Sequence, residues 1–203
     1  MQSVRCVGVG RPAQIRDVPK PSPGPGQVLI KIGGAGVCHS DLHVMEEELG
    51  FVPPFTLGHE NAGWIAALGQ GVTGFKEGDA VAVYGPWGCG HCHACQLSME
   101  NYCENWAQVD GFGGGLGLDG GMAEYMLVPS ARLLVPLGDR SPAKAAPLSD
   151  AALTPDAVLV VSGRSRHTCQ NAQKPSPPRS ASRSALVTVN SMPIRIVTST
   201  LVH

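Results

Sequence analysis

Aromatic side chains are few in this sequence: Phe, Tyr and Trp together make 5% of its 203 residues. Net charge is nearly absent too, at −1, which argues against bulk attraction to nucleic acid or a membrane surface. No apolar run approaches the length of a membrane-crossing helix, and the amino terminus lacks the continuous apolar core of a signal peptide. The expectation is a cytoplasmic protein with no membrane or nucleic-acid partner. No internal repeat occurs.

What is present is turn chemistry and sulfur. The chain holds 26 Gly, 17 Pro and 7 Cys, and at 43% hydrophobic it has enough apolar residues for a real core. The cysteines are odd in number and unevenly spread, four of them falling between positions 89 and 103. Without an export signal, such crowding favours metal thiolates over disulfides. Charge is uneven as well. Residues 156–203 carry six Lys or Arg and one acid, a net of +5, whereas the first 155 carry nine bases and fifteen acids, a net of −6. That contrast predicts two segments of different character.

Along the chain, residues 4–15 alternate loosely and predict an edge hairpin, and the proline-rich stretch 19–26 forbids helix or inner strand. Residues 28–32 are β-branched and bounded by Gly, a strand signal. They lead into Gly33-Gly34-Ala35-Gly36, where small residues permit a tight turn and close approach of the backbone to something else. A short helix is expected over 40–49, capped by Ser40 or Asp41. Further strands are expected at 63–68, 79–84, 122–128 and 133–135. Ser141-Pro142 starts a helix, Pro147 breaks it, and a second helical piece over 148–153 carries Asp150. Many short strands between glycine turns predict a mainly β, barrel-like domain with short helices. Beyond Pro155 the composition turns Arg-, Ser- and Pro-rich and reads as disordered over 173–180. Residues 157–161, 186–189 and 194–197 could form strands but have no evident core to join.

Two constellations carry chemistry. Cys89-x2-Cys92-x2-Cys95-x7-Cys103 offers four thiolates, which fill zinc's tetrahedral shell and predict a closed structural site. Gly88 and Gly90 let amides turn toward the sulfurs, and His91 and His93 should face solvent. The second is a thiolate, an imidazole and a carboxylate drawn from three separated segments: Cys38 in Gly36-Val37-Cys38-His39-Ser40-Asp41-Leu42-His43, His59 in Gly58-His59-Glu60, and Asp150. Three such ligands leave a fourth metal position open, which distinguishes a catalytic zinc from a structural one. Taken singly, each residue has an inert reading as core thiol, core histidine or helix cap. Gly115-Leu116-Gly117-Leu118-Asp119-Gly120 has the spacing of a dinucleotide fingerprint, yet it runs into a strand-like segment where a helix is required, so it reads as a glycine loop.

These motifs, with Pro147-Leu148-Ser149-Asp150-Ala151-Ala152-Leu153-Thr154-Pro155, resemble the zinc-containing medium-chain alcohol dehydrogenases over the first three quarters of the chain. The likeness is nearest to bacterial secondary-alcohol enzymes with Asp as third ligand. It implies a GroES-like β-barrel catalytic domain over residues 1–155, with a structural zinc lobe at 88–104. By the same resemblance Cys38, His59 and Asp150 hold the catalytic zinc, while Cys89, Cys92, Cys95 and Cys103 hold the structural one, giving two zincs per chain. Ser40 is implied to bond the substrate oxygen and His43 to pass the proton to solvent. Asp41 would bond the far nitrogen of His59, Glu60 would sit behind the metal, and His39 would face the cofactor phosphates. Trp87 and Phe51 are pocket candidates.

The family would continue with a Rossmann domain binding NAD(P), and with homo-oligomers built mostly through it. Here residues 156–203 depart from that pattern as a basic, Ser/Pro-rich tail, so the Rossmann domain is expected to be absent. Either a shifted reading frame or natural divergence would produce such a tail. The implied activity is oxidation of an alcohol, a secondary one by the nearest likeness, to a ketone or aldehyde, with turnover by this chain weak or absent. The competing readings are a zinc-binding β-barrel without catalysis and, less favoured, a basic arm for acidic surfaces. Apolar surface near residues 148–159 is expected to be left uncovered.

Overall fold

The computed structural model describes residues 1–151 and 196–198. Strand β1 (Gln2–Cys6) pairs antiparallel with β2 (Gln14–Asp17), as the alternation predicts. β1 is not at an edge, however. It lies between β2 and β4 (Phe55–Thr56) in a three-stranded sheet.

The second sheet is larger and is built on β3 (Val28–Val37). β3 pairs antiparallel with β5 (Glu60–Leu68), which pairs with β6 (Ala80–Val83), itself joined to β10 (Leu134–Pro136). β9 (Tyr125–Val128) adds to the first half of β3. Between β6 and β9 lie α2 (His93–Gln96) in the cysteine-rich lobe and two minimal strands, β7 (Gly113–Gly114) and β8 (Gly117–Leu118). No helix follows β8, in keeping with a glycine loop at 115–120.

Both sheets feed one core. Cys6, Phe55 and Leu57 from the small sheet and the strand ends beside it meet Val28, Ile30, Val81, Met126 and Val128 of the large one. A bridge between Ser3 and Ala123 ties the two sheets together.

Two expectations for β3 need correction. The glycine run is not a turn but the second half of the strand, with register shifts at Leu29/Ile30 and Ile32/Gly34. Its small residues serve close approach instead, as the next section describes. The carboxy-terminal stretch also finds a strand partner: β11 (Ile196–Thr198) pairs in parallel with Ala35–Val37. The predicted strands at 157–161 and 186–189, and the tail read as disordered, otherwise lie outside the described residues.

The helices are shorter than predicted. α1 (His39–Glu46) begins one residue earlier, with Cys38 as the extended cap residue, so Ser40 and Asp41 lie inside the first turn. α3 (Pro142–Ala145) gives way to a 3-10 turn at Ala146–Ser149. Asp150 is therefore not on a helix; it ends that turn, with φ −143° and ψ −71°. Leu148 is 56% exposed, and the remainder of the predicted apolar surface lies outside the described residues.

Candidate metal centre

Asp41 organises the first two candidate ligands. At the third position of α1, its Oδ2 accepts the Cys38 amide at 3.0 Å, which fixes the sharp change from strand to helix at the thiol. Its Oδ1 accepts the Gly58 amide at 3.3 Å and lies 3.3 Å from His59 Nδ1. Gly58 has φ +93°, and a Cβ there would stand 2.7 Å from Met122 Cγ, so glycine is required for the approach to His59. Asp41 and His59 are both buried, at 2% and 4% exposure.

The third ligand, a carboxylate, arrives across the glycine run of β3. A Cβ on Gly33 would lie 2.6 Å from Trp64, and one on Gly34 would lie 2.7 Å from the Ala143 Cα, so their absence lets α3 lie directly on the strand. The 3-10 turn after α3 then brings Asp150 Oδ2 to 3.2 Å from His59 Nε2 and 3.6 Å from Cys38 Sγ. Next along the chain, the Ala151 amide donates to Glu60 Oε1 at 2.7 Å.

The donor set fits a metal. The ligand atoms of Cys38, His59 and Asp150 lie within 4.8 Å of one another. Zinc bonds of about 2.3 Å to sulfur and about 2.0–2.1 Å to nitrogen or oxygen, at tetrahedral angles, put S···O about 3.5 Å and N···O about 3.3 Å apart. The observed 3.6 and 3.2 Å match that template. Neither ring nitrogen of buried His59 makes a hydrogen bond of acceptable geometry among the described residues, despite two carboxylates nearby. Electrostatics agree: burial would lower the His59 pKa, but Asp150 and Asp41 push it up to about 11 in the metal-free protein. A site that draws a proton so strongly favours any cation. The His59 ring beside it holds Asp150 below the usual carboxylate range, while burial raises Glu60 above it.

The four cysteines of the lobe also converge, with Cys89 and Cys95 sulfurs 4.0 Å apart, near the roughly 3.8 Å edge of a zinc–sulfur tetrahedron. Donors surround them. The Cys89 and Asn105 amides reach Cys103 Sγ at 3.3 and 3.4 Å, and the Cys92 amide and the Asn105 side chain reach Cys89 Sγ at 3.4 and 3.3 Å. Burial works against ionisation of Cys89, yet these donors and the His91 amide bring it down to about 5. Deeper burial pushes Cys95 up to about 12. Cys92 is lowered by the Cys95 and Glu104 amides. Cys89, Cys92, Cys95 and Cys103 are all free thiols.

The profile of the alcohol dehydrogenase GroES-like domain matches residues 24–139. The chain belongs to the alcohol dehydrogenase GroES-like domain family. A relative within that similarity is the NAD-dependent alcohol dehydrogenase of Sulfurisphaera tokodaii, 40% identical over 184 residues that make 80% of this chain and 51% of the relative. Another is the D-arabinose 1-dehydrogenase (NADP(+)) of Saccharolobus solfataricus, 47% identical over 146 residues, 70% of this chain and 40% of that one. The solved alcohol dehydrogenase of Aeropyrum pernix superposes with a TM-score of 0.70 at 36% identity, covering 80% of this chain and 48% of that one. The chain thus spans about half the length, or less, of the curated relatives it matches.

The remaining candidates are placed as follows on this GroES-like domain. Ser40 Oγ lies 3.7 Å from Cys38 Sγ. His43 is exposed, pairs with Glu47 at 2.9 Å and stacks edgewise on His39 at 4.8 Å, and no hydrogen bond joins it to Ser40 among the described residues. Phe51 packs edge-on against Phe55 and Phe112, and Trp87 is buried with its Nε1 on the Tyr84 carbonyl. His91 and His93 are exposed, as the filled sulfur shell predicts. Two residues escaped the sequence reading. Arg132 pairs with buried Glu100 and donates to the Gly88 carbonyl at 2.9 Å, tying the cysteine lobe to the barrel. Thirty-two positions separate the pair, and no local pattern marks it.

Proposed function

We propose that this chain carries the metal-holding, substrate-facing domain of a zinc-dependent alcohol dehydrogenase. The reaction is oxidation of a secondary alcohol to a ketone, or a primary one to an aldehyde, with NAD(P) as hydride acceptor. The observation that carries the reading is the convergence of Cys38, His59 and Asp150 at distances suited to one tetrahedral cation with a corner left over. In that site, bound zinc supplies Lewis acidity, lowering the pKa of an alcohol hydroxyl toward neutrality.

The chain's own residues do the rest. Cys38, His59 and Asp150 hold the ion, and Asp41 orients the imidazole through its far nitrogen. Ser40 bonds the substrate oxygen and relays its proton; its support is a hydroxyl 3.7 Å from the Cys38 thiol. His43, exposed beside Glu47, exchanges that proton with water. His39 faces the cofactor phosphates. Cys89, Cys92, Cys95 and Cys103 hold a second, structural zinc. A reducing, cytoplasmic setting suits those thiols. The substrate is a small alcohol or ketone, and the named relatives act on alcohols and on D-arabinose.

A second reading has an observation of its own. The cysteine quartet converges within the described barrel by itself, which a zinc-holding barrel without turnover accounts for equally. Elemental analysis and an NAD(P)-linked assay of this chain separate the cases. The expected result is two zincs per chain, falling to one in His59→Ala, with weak or no alcohol oxidation. Zinc content unchanged by His59→Ala would refute the assignment.

A further inference from the structure

We infer that Glu60 is the positioning residue for the third metal ligand: it holds the Ala151 amide from inside the barrel and so sets Asp150 against Cys38 and His59. This rests on the metal-centre reading above. Glu60 is completely buried, and its Oε1 accepts the Ala151 amide at 2.7 Å across 91 positions of sequence. The backbone needs such an anchor there. The 3-10 turn stops at Ser149, whose hydroxyl caps the Ala146 carbonyl at 2.9 Å, and Asp150 leaves the helical track. Fixing the amide that follows is what defines where the Asp150 side chain points.

The slot for Glu60 is cut by a missing side chain. A Cβ on Gly36 would stand 1.9 Å from Glu60 Oε2, so any residue but glycine at that position expels the carboxylate. Oε2 itself has no hydrogen-bond partner among the described residues, which leaves the Ala151 amide as the polar contact that the buried group makes. Glu60 also follows His59 directly, at the head of β5. Adjacent residues therefore do paired work: one offers a ligand, and the other latches the segment that brings another ligand from the far end of the domain.

The test is cobalt affinity at this site in the 203-residue chain, with the four-cysteine lobe already filled with zinc. Glu60→Ala should weaken cobalt binding by about 10–100-fold. Glu60→Gln keeps an oxygen acceptor for the amide and should retain most of the affinity. Gly36→Ala should behave like Glu60→Ala with the glutamate still present. Asp150→Ala should cost little further in the Glu60→Ala background, because the ligand is already displaced. The thiolate-to-cobalt band of Cys38 should persist in every variant while the d–d bands change. Full zinc in the lobe serves as the folding control, and Glu60→Gln against Gly36→Ala carries the comparison if Glu60→Ala loses it. Equal losses in Gln and Ala would overturn the latch in favour of a charge or ligand role, as would additive effects of Glu60→Ala and Asp150→Ala. If Asp150→Ala alone leaves affinity unchanged, the metal-centre reading fails and takes the latch with it. If Asp150→Ala weakens binding and Glu60→Ala does not, the latch alone fails.

Discussion

Replacing Asp41 with Ala should damage the fold and the metal site together, in amounts that follow from its contacts. The carboxylate accepts the Cys38 amide and the buried Gly58 amide, and it faces the His59 ring. Its loss leaves two amides without partners, each costing about 1–3 kcal/mol when sealed from water. The Cys38 amide is only partly buried and falls at the low end, so the total is about 2–4 kcal/mol. That is a large share of the roughly 5–15 kcal/mol stability of a typical domain. Asp41→Asn keeps one acceptor oxygen and should cost about half as much. Urea unfolding of zinc-free protein, followed through tryptophan fluorescence, measures both, and metal titration should show a further drop of about 10–100-fold from the unanchored imidazole. A loss below about 1 kcal/mol in Asp41→Ala would refute the claim that this carboxylate is the hub of the two amides.

Three other outcomes follow from the same geometry. In the metal-free protein the His59 pKa, raised to about 11, makes protonation stabilising below its unfolded value near 6.5, and that stabilisation fades as pH rises through 11. A cation must displace this proton, so metal affinity should climb at least about tenfold per pH unit between 6 and 8, and a flat chelator-competition profile would contradict it. Arg132→Ala leaves the Glu100 charge buried without its partner and frees the Gly88 carbonyl; zinc release from the cysteine lobe to a chelator should accelerate, with little change at the Cys38 site. Gly34→Val sets a branched side chain against the Ala143 backbone, so α3 must shift and metal affinity at the Cys38 site should fall while the lobe stays loaded, as elemental analysis would reveal.

Much of this was legible in the chain because zinc sites write themselves as residue types at characteristic spacings. That the cysteine quartet, and Cys38 with His59 and Asp150, could each converge on a metal was readable that way, and β3, β5, β6, β9 and β10 each follow an apolar signal. The misses share a cause. Sequence assigns Gly33-Gly34-Ala35-Gly36 to a turn because glycine permits turns, but here glycine in a strand clears space for α3 and for Glu60, a fact set by distant neighbours. The cap of α1 fell to Cys38 because Asp41 reaches back to its amide, which composition alone assigns to Asp41 itself. Glu100 with Arg132, and Glu60 with Ala151, are tertiary pairings without local periodicity.

The meeting of Cys38 with Asp150 joins points 112 residues apart. An ion clamped between them would act as a removable clasp, adding its binding free energy to the folded state and leaving the denatured polypeptide without it. Thermal resistance should then track free zinc concentration, so the same chain would be robust in metal-replete surroundings and fragile under chelation.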